Sequence, residues 1–257
     1  SIVLSSSHNH SGPVVNENLF HIYPPFSDEQ NTAIENYILW LESEVVSCAG
    51  RAIEKLEPAR LSSGLGMARF AVNRRNNPAS DVLYSPDLKG PSDHTVPVIK
   101  VTNANDELKT LLFGYACHAT TLDVCQWSGD YPGFAQLELE ASYPGATAMF
   151  FAGCGGDQNP LPRRSVSLAA QYGEELTASI KRVLKEPMKD REPSLATNYQ
   201  EIALSFSQPL AVDSLKVIAE KGPDYYTRWA RNLIDRMENG PALPTTYPHY
   251  PGQTWLI

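Results

Sequence analysis

Two segments far apart in the sequence carry the residue types that bind a catalytic metal ion. His8 and His10 stand in the run His-Asn-His-Ser-Gly of residues 8–12, and His118 follows the apolar residues 111–116. Imidazoles from separate chain segments are the ligands that metal-dependent hydrolases combine into one site. The two segments therefore predict a metal site in which His8 and His118 are the ligands.

The residues around His8 suggest how the first segment is arranged. Residues 2–7 favour a strand, and the Ser, Asn, Gly and Pro residues that follow favour a loop. Side chains repeat every two residues along an extended chain, so His8 and His10 are expected to point the same way. One would bind the metal ion while the other contacts the substrate. The alternative is a pair of hydrogen-bonded loop histidines, because the H-x-H pattern is short.

Two further polar residues have chemistry suited to such a site. Thr120 follows His118 closely and could support its imidazole or contact a bound substrate. Arg74 ends a strand-like run, and its planar guanidinium could stabilise an oxyanion. The alternatives are a hydrogen-bonded core histidine at position 118 and a solvated arginine at position 74.

A glycine-rich loop follows the apolar residues 146–152. Its members are Gly153, Cys154, Gly155, Gly156 and Asp157. A nucleotide-binding role is the weaker interpretation, because the loop lacks the lysine of a P-loop and has no G-x-G-x-x-G pattern. Glycines allow backbone amides to approach a ligand closely, so we expect this loop to bind substrate.

Strands and helices alternate through the middle of the chain. Strands are predicted at residues 96–101, 108–116 and 146–152, and helices at 131–142 and 165–185. A longer helix is predicted after the capping box formed by Ser27 and Gln30. This order predicts an α/β fold, a mixed sheet with flanking helices and with active-site loops at the strand ends.

The composition excludes several classes of function. The net charge is −8 and no run of basic residues occurs, so binding to nucleic acid through bulk charge is not expected. No apolar stretch approaches the length of a transmembrane span. The cysteines show no CxxC spacing and are expected to be small buried thiols. They are Cys48, Cys117, Cys125 and Cys154.

Four segments, taken in order, resemble the N-terminal catalytic domain of the neutral/alkaline (non-lysosomal) ceramidase family. They are residues 7–13 (SHNHSGP), Asn73-Arg74, residues 117–121 (CHATT) with 128–135 (SGDYPGFA), and residues 156–160 (GDQNP). Each motif is short, but four of them in one order form a specific pattern.

The resemblance implies zinc-dependent hydrolysis of an N-acyl amide, in ceramide or a related lipid or amide. His8 and His118 would bind Zn²⁺, and His10 and Arg74 would hold the substrate amide and stabilise the tetrahedral oxyanion. Residues 153–157 would line the pocket. A bacterial member acting on another amide or ester is also compatible, because the Cys-containing approach to Gly156-Asp157 differs from the Ser/Asn-containing one of established ceramidases.

The same resemblance bears on domain organisation and location. It implies that residues 1–257 form a single partial catalytic domain, without its N-terminal strands and without the downstream Glu and Tyr that complete the zinc shell in the family. It also implies a secreted, periplasmic or extracellular protein, and says nothing of oligomeric state. The alternative function is a non-catalytic lipid- or carbohydrate-binding member with the same fold and an incomplete metal site.

Overall fold

The computed structural model describes residues 5–15, 23, 25–77, 88–192 and 196–256. In chain order the elements are α1 (Asp28–Glu54), β1 (Ala59–Met67), β2 (Ala71–Asn73), β3 (Thr95–Asn103), β4 (Leu108–Tyr115), α2 (Asp130–Ser142), β5 (Thr147–Ala152), β6 (Gln158–Pro160), α3 (Val166–Val183), β7 (Lys189–Arg191), β8 (Ala196–Ser205), α4 (Val212–Lys221), α5 (Asp224–Asn239) and β9 (Thr246–Leu256).

A five-stranded mixed sheet organises the part of the chain that contains the candidate residues. Its strand order is β5-β4-β3-β1-β7, with β4 and β5 parallel and the other neighbours antiparallel. Because β4 and β5 run parallel, their carboxyl ends lie at the same edge of the sheet. The loops that carry His118 and Gly153 begin at that edge. The predicted α/β class with a mixed sheet and flanking helices is confirmed.

The core lies between this sheet and the helices α2 and α3, which pack against it and against each other. Aromatic rings fill its centre: Phe70 stacks on Tyr172 with ring centroids 4.5 Å apart and contacts Tyr115 at 4.6 Å. The Tyr115 hydroxyl donates to the Ala68 carbonyl at 2.8 Å and accepts from the Ala71 amide at 3.2 Å. These two bonds fix the link between β1 and β2, so the buried ring also has its polar end satisfied.

A short antiparallel ladder joins β2 to β6, pairing Asn73 with Gln158. Immediately beyond it, the Arg74 amide donates to the Asp157 carbonyl at 2.8 Å. The ladder therefore brings two of the motifs identified in the sequence into direct backbone contact.

The chain divides into two units, of which the first comprises Ser1–Pro13 and Leu56–Ser194. The second unit comprises Val14–Lys55 and Leu195–Leu256, and contains α1, the packed pair α4 and α5, and the antiparallel pair β8 and β9. The capping box predicted for α1 is confirmed, since the Ser27 hydroxyl accepts from the Gln30 amide and the Gln30 side chain accepts from the Ser27 amide. A single domain over residues 1–257 stays a prediction.

Some local expectations differ from the structure. Of the strand predicted at residues 2–7, residues 2–4 lie outside the described part, and residues 5–7 adopt no regular structure. Helix α4 and most of β9 were not predicted. The prolines in β9 favour an irregular segment because proline has no backbone N–H to donate. In the two-stranded ladder of β8 and β9 each strand has one unpaired edge, and proline is tolerated where its nitrogen faces that edge.

The cysteine prediction is correct at one position only. Cys117 is buried, whereas Cys48, Cys125 and Cys154 are exposed, and all four are free thiols. Small thiols are often buried. Cys48, however, lies on a helix that has no buried side chains, and Cys125 and Cys154 lie in exposed loops. No helix in the described part of the chain is long and apolar enough to cross a membrane.

Truncation of a buried leucine in α3 is expected to destabilise the first unit. Leu176 is 0% exposed in the core, so Leu176→Ala should lower the free energy of unfolding by about 2–5 kcal/mol through lost contacts and a residual cavity. Leu137 on α2 is 68% exposed, and Leu137→Ala should change it by less than about 0.5 kcal/mol. Urea denaturation measures both; equal effects would contradict the assigned core.

Candidate active site

The three predicted histidines lie together in the structure. The ring centroids of His8 and His118 are 4.7 Å apart, those of His8 and His10 are 5.2 Å apart, and those of His10 and His118 are 6.3 Å apart. The two segments are separated by more than one hundred positions along the chain. Their convergence gives one cluster of three imidazoles.

His118 is held by backbone carbonyls at the end of β4. Its Nδ1 lies 2.8 Å from the Gly155 carbonyl oxygen and 3.0 Å from that of Gln158. Carbonyl oxygens only accept hydrogen bonds, so Nδ1 carries the proton and donates to them. The other ring nitrogen, Nε2, then keeps its lone pair. This is the arrangement by which proteins orient a histidine that binds a metal ion.

Gln158 positions His118, a role that was not predicted for it although it lies in the motif of residues 156–160. Its side chain is 3% exposed, donates to the Ala116 carbonyl at 2.5 Å and accepts from the Asp93 amide at 2.7 Å. Its own carbonyl accepts from the His118 amide at 3.0 Å. In the sequence Gln158 is one polar residue in a turn, and only the pairing of β2 with β6 reveals that it reaches the end of β4.

The segment that carries His8 and His10 is fixed by the loop before α2. The Asn9 side chain donates to the Ser128 carbonyl at 2.5 Å, and the Ser128 amide donates to the Ser11 carbonyl at 3.0 Å. The backbone at His8 has a φ of 58°, in the left-handed region that non-glycine residues seldom adopt. The predicted extended backbone is therefore wrong at His8, although its ring does lie beside that of His10.

Asp130 holds the loop that follows His118. Its carboxylate is 1% exposed and accepts from the Leu122 amide at 2.8 Å and the Tyr131 amide at 2.7 Å. The Tyr131 hydroxyl in turn donates to the Cys117 carbonyl at 2.8 Å.

Thr120 is buried in the loop that follows His118, and its hydroxyl has no partner among the described residues. It does not line the cavity beside the histidines.

A cavity of about 350 Å³ opens beside His8 and His118. Its walls include three residues of the predicted loop, Gly153, Gly155 and Gly156, but neither Cys154 nor Asp157. Residues not singled out from the sequence also line it: Ser5, Ser6, Cys117 and Ala152. The Gly153 amide donates to the Tyr115 carbonyl and the Gly155 amide to the Gly153 carbonyl, so backbone hydrogen bonds hold this wall of the cavity in place.

Arg74 is anchored at the end of β2 by the same glycine-rich loop. Its Nε donates to the Gly156 carbonyl at 3.1 Å. The carboxylate of Asp157 turns toward Asn73, whose side-chain nitrogen lies 3.5 Å away. Asp157 therefore contributes mainly to the joint between the β2 turn and the loop, and the Nη groups of Arg74 have no partner among the described residues.

The electrostatic surroundings disfavour protonation of His8 and His10. Loss of hydration first, then the charges of His118 and Arg74, lower the pKa of His8. Loss of hydration, then the charges of His8, His118, Arg163 and Arg74, lower the pKa of His10. Both residues retain accessible surface, so only part of their hydration is lost. Neutral imidazoles have the lone pair that metal binding and proton transfer require.

The donor types present fit a zinc ion in part. Two imidazoles, with the ring of His118 oriented by backbone carbonyls, match the nitrogen ligands that zinc prefers. Within the described ranges, no group of three or more His, Cys, Asp or Glu side chains is arranged to hold a metal ion. His8 and His118 would therefore supply only part of a zinc shell.

Comparisons with known proteins show the fold. A ceramidase solved in complex with C2 superimposes with a TM-score of 0.60 at 21% identity, over 81% of this chain and 34% of that one. The neutral ceramidase from Pseudomonas aeruginosa gives a TM-score of 0.58 at 21% identity, over 85% of this chain and 36% of that one. The chain thus spans about a third of the solved structures that it matches. No family model and no curated protein matches the sequence.

Two neighbouring glycines should respond differently to substitution. A Cβ at Gly155 would lie 2.5 Å from the Cys117 nitrogen, whereas a Cβ at Gly156 would meet nothing within 4 Å. Gly155→Ala should therefore displace the carbonyl that holds His118 and lower the free energy of unfolding by about 1–3 kcal/mol. Gly156→Ala should leave it nearly unchanged. Urea denaturation measures both, and equal stability of the two variants would contradict the described loop.

The lowered pKa values predict a pH dependence in the metal-free protein. Folded His8 and His10 bind protons less readily than in the unfolded chain, where the pKa is near 6.5. Their contribution to stability is therefore complete above that value and is lost as the pH falls.

His118→Ala should raise the pKa of His8 by removing a neighbouring charge. An NMR titration of the imidazoles measures this, and an unchanged His8 pKa would refute the coupling.

Proposed function

We propose that this chain forms part of the active site of a zinc-dependent hydrolase that cleaves an N-acyl amide bond, in a ceramide-like lipid or a related amide. His8 and His118 would hold the zinc ion, and His10 and Arg74 would act on the substrate. The observation that carries the proposal is the convergence of three histidines, with the Nδ1 of His118 committed to two carbonyls and its Nε2 left as a ligand.

Zinc, when bound, makes water nucleophilic near neutral pH and polarises a carbonyl group. The protein residues would orient the amide around that chemistry. His10 is neutral near pH 7, so one ring nitrogen can accept a proton or a hydrogen bond while the other donates. Its position beside His8 gives it access to the reacting group of a bound amide.

Arg74 would stabilise the negative oxygen that develops as the amide carbon becomes tetrahedral. The bond from its Nε to Gly156 orients the plane of the guanidinium, and its remaining N–H groups have no partner within the part of the chain that the structure describes. A preorganised donor of this kind lowers the barrier without rearrangement during the reaction. The glycine-rich loop of residues 153–157 would contact the substrate beside the cavity.

The ceramidase fold supports the choice of an amide over other acyl substrates. The two solved structures named above are ceramidases, and the chain shares their fold at 21% identity. The four sequence motifs resemble the same family. We therefore propose a small lipid or amide substrate.

Loss of either histidine ligand should abolish metal binding and hydrolysis together. In the full-length protein, His8→Ala and His118→Ala should weaken zinc affinity by at least about hundredfold, because each removes a direct ligand. Titration with zinc against a competing chelator measures affinity, and fatty-acid release from ceramide and simpler N-acyl amides measures activity.

His94→Ala is the matched control for the loss of an imidazole. The His94 Nε2 lies 3.0 Å from the Ala71 carbonyl oxygen, and the residue does not line the cavity. Wild-type zinc affinity and activity in this variant would assign the losses to the site. Unchanged hydrolysis in His8→Ala or His118→Ala would contradict the proposal. A folded protein that binds lipid or carbohydrate, but that neither binds zinc nor hydrolyses amides, would instead be the non-catalytic member.

A further inference from the structure

The peptide group that leads into Arg74 has both of its polar atoms bound. Its N–H, the Arg74 amide, donates to the Asp157 carbonyl at 2.8 Å. Its C=O, on Asn73, accepts from the Asn77 side-chain nitrogen at 2.8 Å. This peptide plane cannot turn without breaking a hydrogen bond, so the direction in which the Arg74 side chain leaves the backbone is set here.

The peptide group that follows Arg74 is held by the Asn73 side chain. Its Oδ1 accepts from the Arg75 amide at 3.0 Å and from the Asn76 amide at 3.1 Å, which forms an Asx turn. The Asn73 side-chain nitrogen donates to the Pro91 carbonyl at 3.0 Å. Asn73 is 3% exposed, so little water competes for these bonds. The backbone is therefore fixed on both sides of the Arg74 Cα.

Asn77 ties this turn to a second stretch of backbone. Its Oδ1 accepts from the Lys89 amide at 2.8 Å, and its Nδ2 donates to the Lys89 carbonyl at 2.6 Å as well as to Asn73. The side-chain amide thus pairs with the Lys89 backbone as a residue on a neighbouring strand would. Asn77 is buried, and its oxygen and both of its N–H groups are bonded.

Gly90 packs directly against the turn. Its φ of 82° lies in the left-handed region, and a Cβ at this position would lie 2.9 Å from the Asn73 Cγ. The lack of a side chain lets the backbone approach Asn73 closely. The two stretches of backbone that Asn77 joins are therefore packed together as well as hydrogen-bonded.

We propose that Asn77 is a positioning residue for Arg74. By holding the turn in which Arg74 lies, it sets the direction from which the guanidinium reaches the site. Arg74 is exposed, and its side chain makes one hydrogen bond among the described residues, from Nε to Gly156. A single bond does not hold a long, flexible side chain, so the backbone must aim it. This inference rests on the proposed function, in which Arg74 stabilises the oxyanion.

The first test needs no catalysis. In the full-length, zinc-free protein, the Arg74 Nε–H should give an NMR signal that is absent in Arg74→Lys. Asn77→Asp removes both N–H donors and places a carboxylate against two carbonyl oxygens. The Arg74 signal should then move toward that of a solvent-exposed arginine and exchange with water at least about tenfold faster, because its bond to Gly156 is lost.

Asn76→Asp is the matched control. It makes the same isosteric change in the same turn, but Asn76 is exposed and its side chain has no partner among the described residues. It should leave the Arg74 signal in place and the rate of hydrolysis within about twofold. Equal effects of Asn76→Asp and Asn77→Asp would overturn the inference, because the added charge alone would then explain them.

Hydrolysis gives a second readout. In the zinc-loaded protein, Asn77→Asp should lower kcat about ten- to hundredfold and change KM by less than about threefold, since an oxyanion donor acts mainly in the transition state. In the Arg74→Ala background the same substitution should lower kcat by less than about threefold, because the guanidinium that it positions is gone. Fully additive losses would overturn the inference.

The two readouts separate this inference from the proposed function. A displaced Arg74 signal in Asn77→Asp, in a protein that hydrolyses no amide, would support the positioning role and refute the hydrolase. Hydrolysis that requires Arg74 and is unchanged in Asn77→Asp would support the hydrolase and refute the positioning role.

A comparison within the wild-type protein applies even where Asn77→Asp does not fold. The Asn77 Nδ2 protons, which are buried and bonded, should exchange with water at least about tenfold more slowly than those of Asn76. Equal exchange would overturn the inference. Asn77→Ser, which adds no charge, is the milder variant and should displace the Arg74 signal in the same direction.

Discussion

The joint between the end of β4 and the turn after β5 is the constraint on which the site depends. Gly155 packs against the backbone of Cys117, and its carbonyl accepts from both Gln158 and the His118 ring. A single turn thereby sets the position of His118 and fixes which of its nitrogens is protonated. The same turn anchors Arg74 through the Gly156 carbonyl. Metal-ligand and oxyanion-binding candidates are thus positioned by one piece of backbone.

This joint follows from the topology of the sheet. The parallel pairing of β4 and β5 places their loops side by side, and the ladder of β2 with β6 brings Arg74 to the same place. Buried polar side chains then replace regular secondary structure in holding the loops, above all Gln158 and Asp130. Such buried networks are specific because each unmade bond is costly in a medium of low dielectric constant.

The sequence predicted the parts that depend on local patterns. Hydrophobic periodicity located the central strands and the helices α2 and α3, and the types and order of polar residues selected His8, His10, His118 and Arg74. It did not reveal Gln158, whose role arises from pairing between distant strands. The left-handed backbone at His8 was likewise unpredicted, since loop anchoring by Ser128 imposes it.

In the proposed site, His118 presents its Nε2, together with His8, to a zinc ion. Crystals of the full-length protein grown with zinc and measured at the zinc absorption edge test this arrangement. We expect an anomalous peak about 2.1 Å from the Nε2 of His118 and within bonding distance of His8, with Nδ1 of His118 still bound to the Gly155 and Gln158 carbonyls. A zinc ion bound elsewhere, or no peak at the two histidines in zinc-saturated crystals, would contradict it.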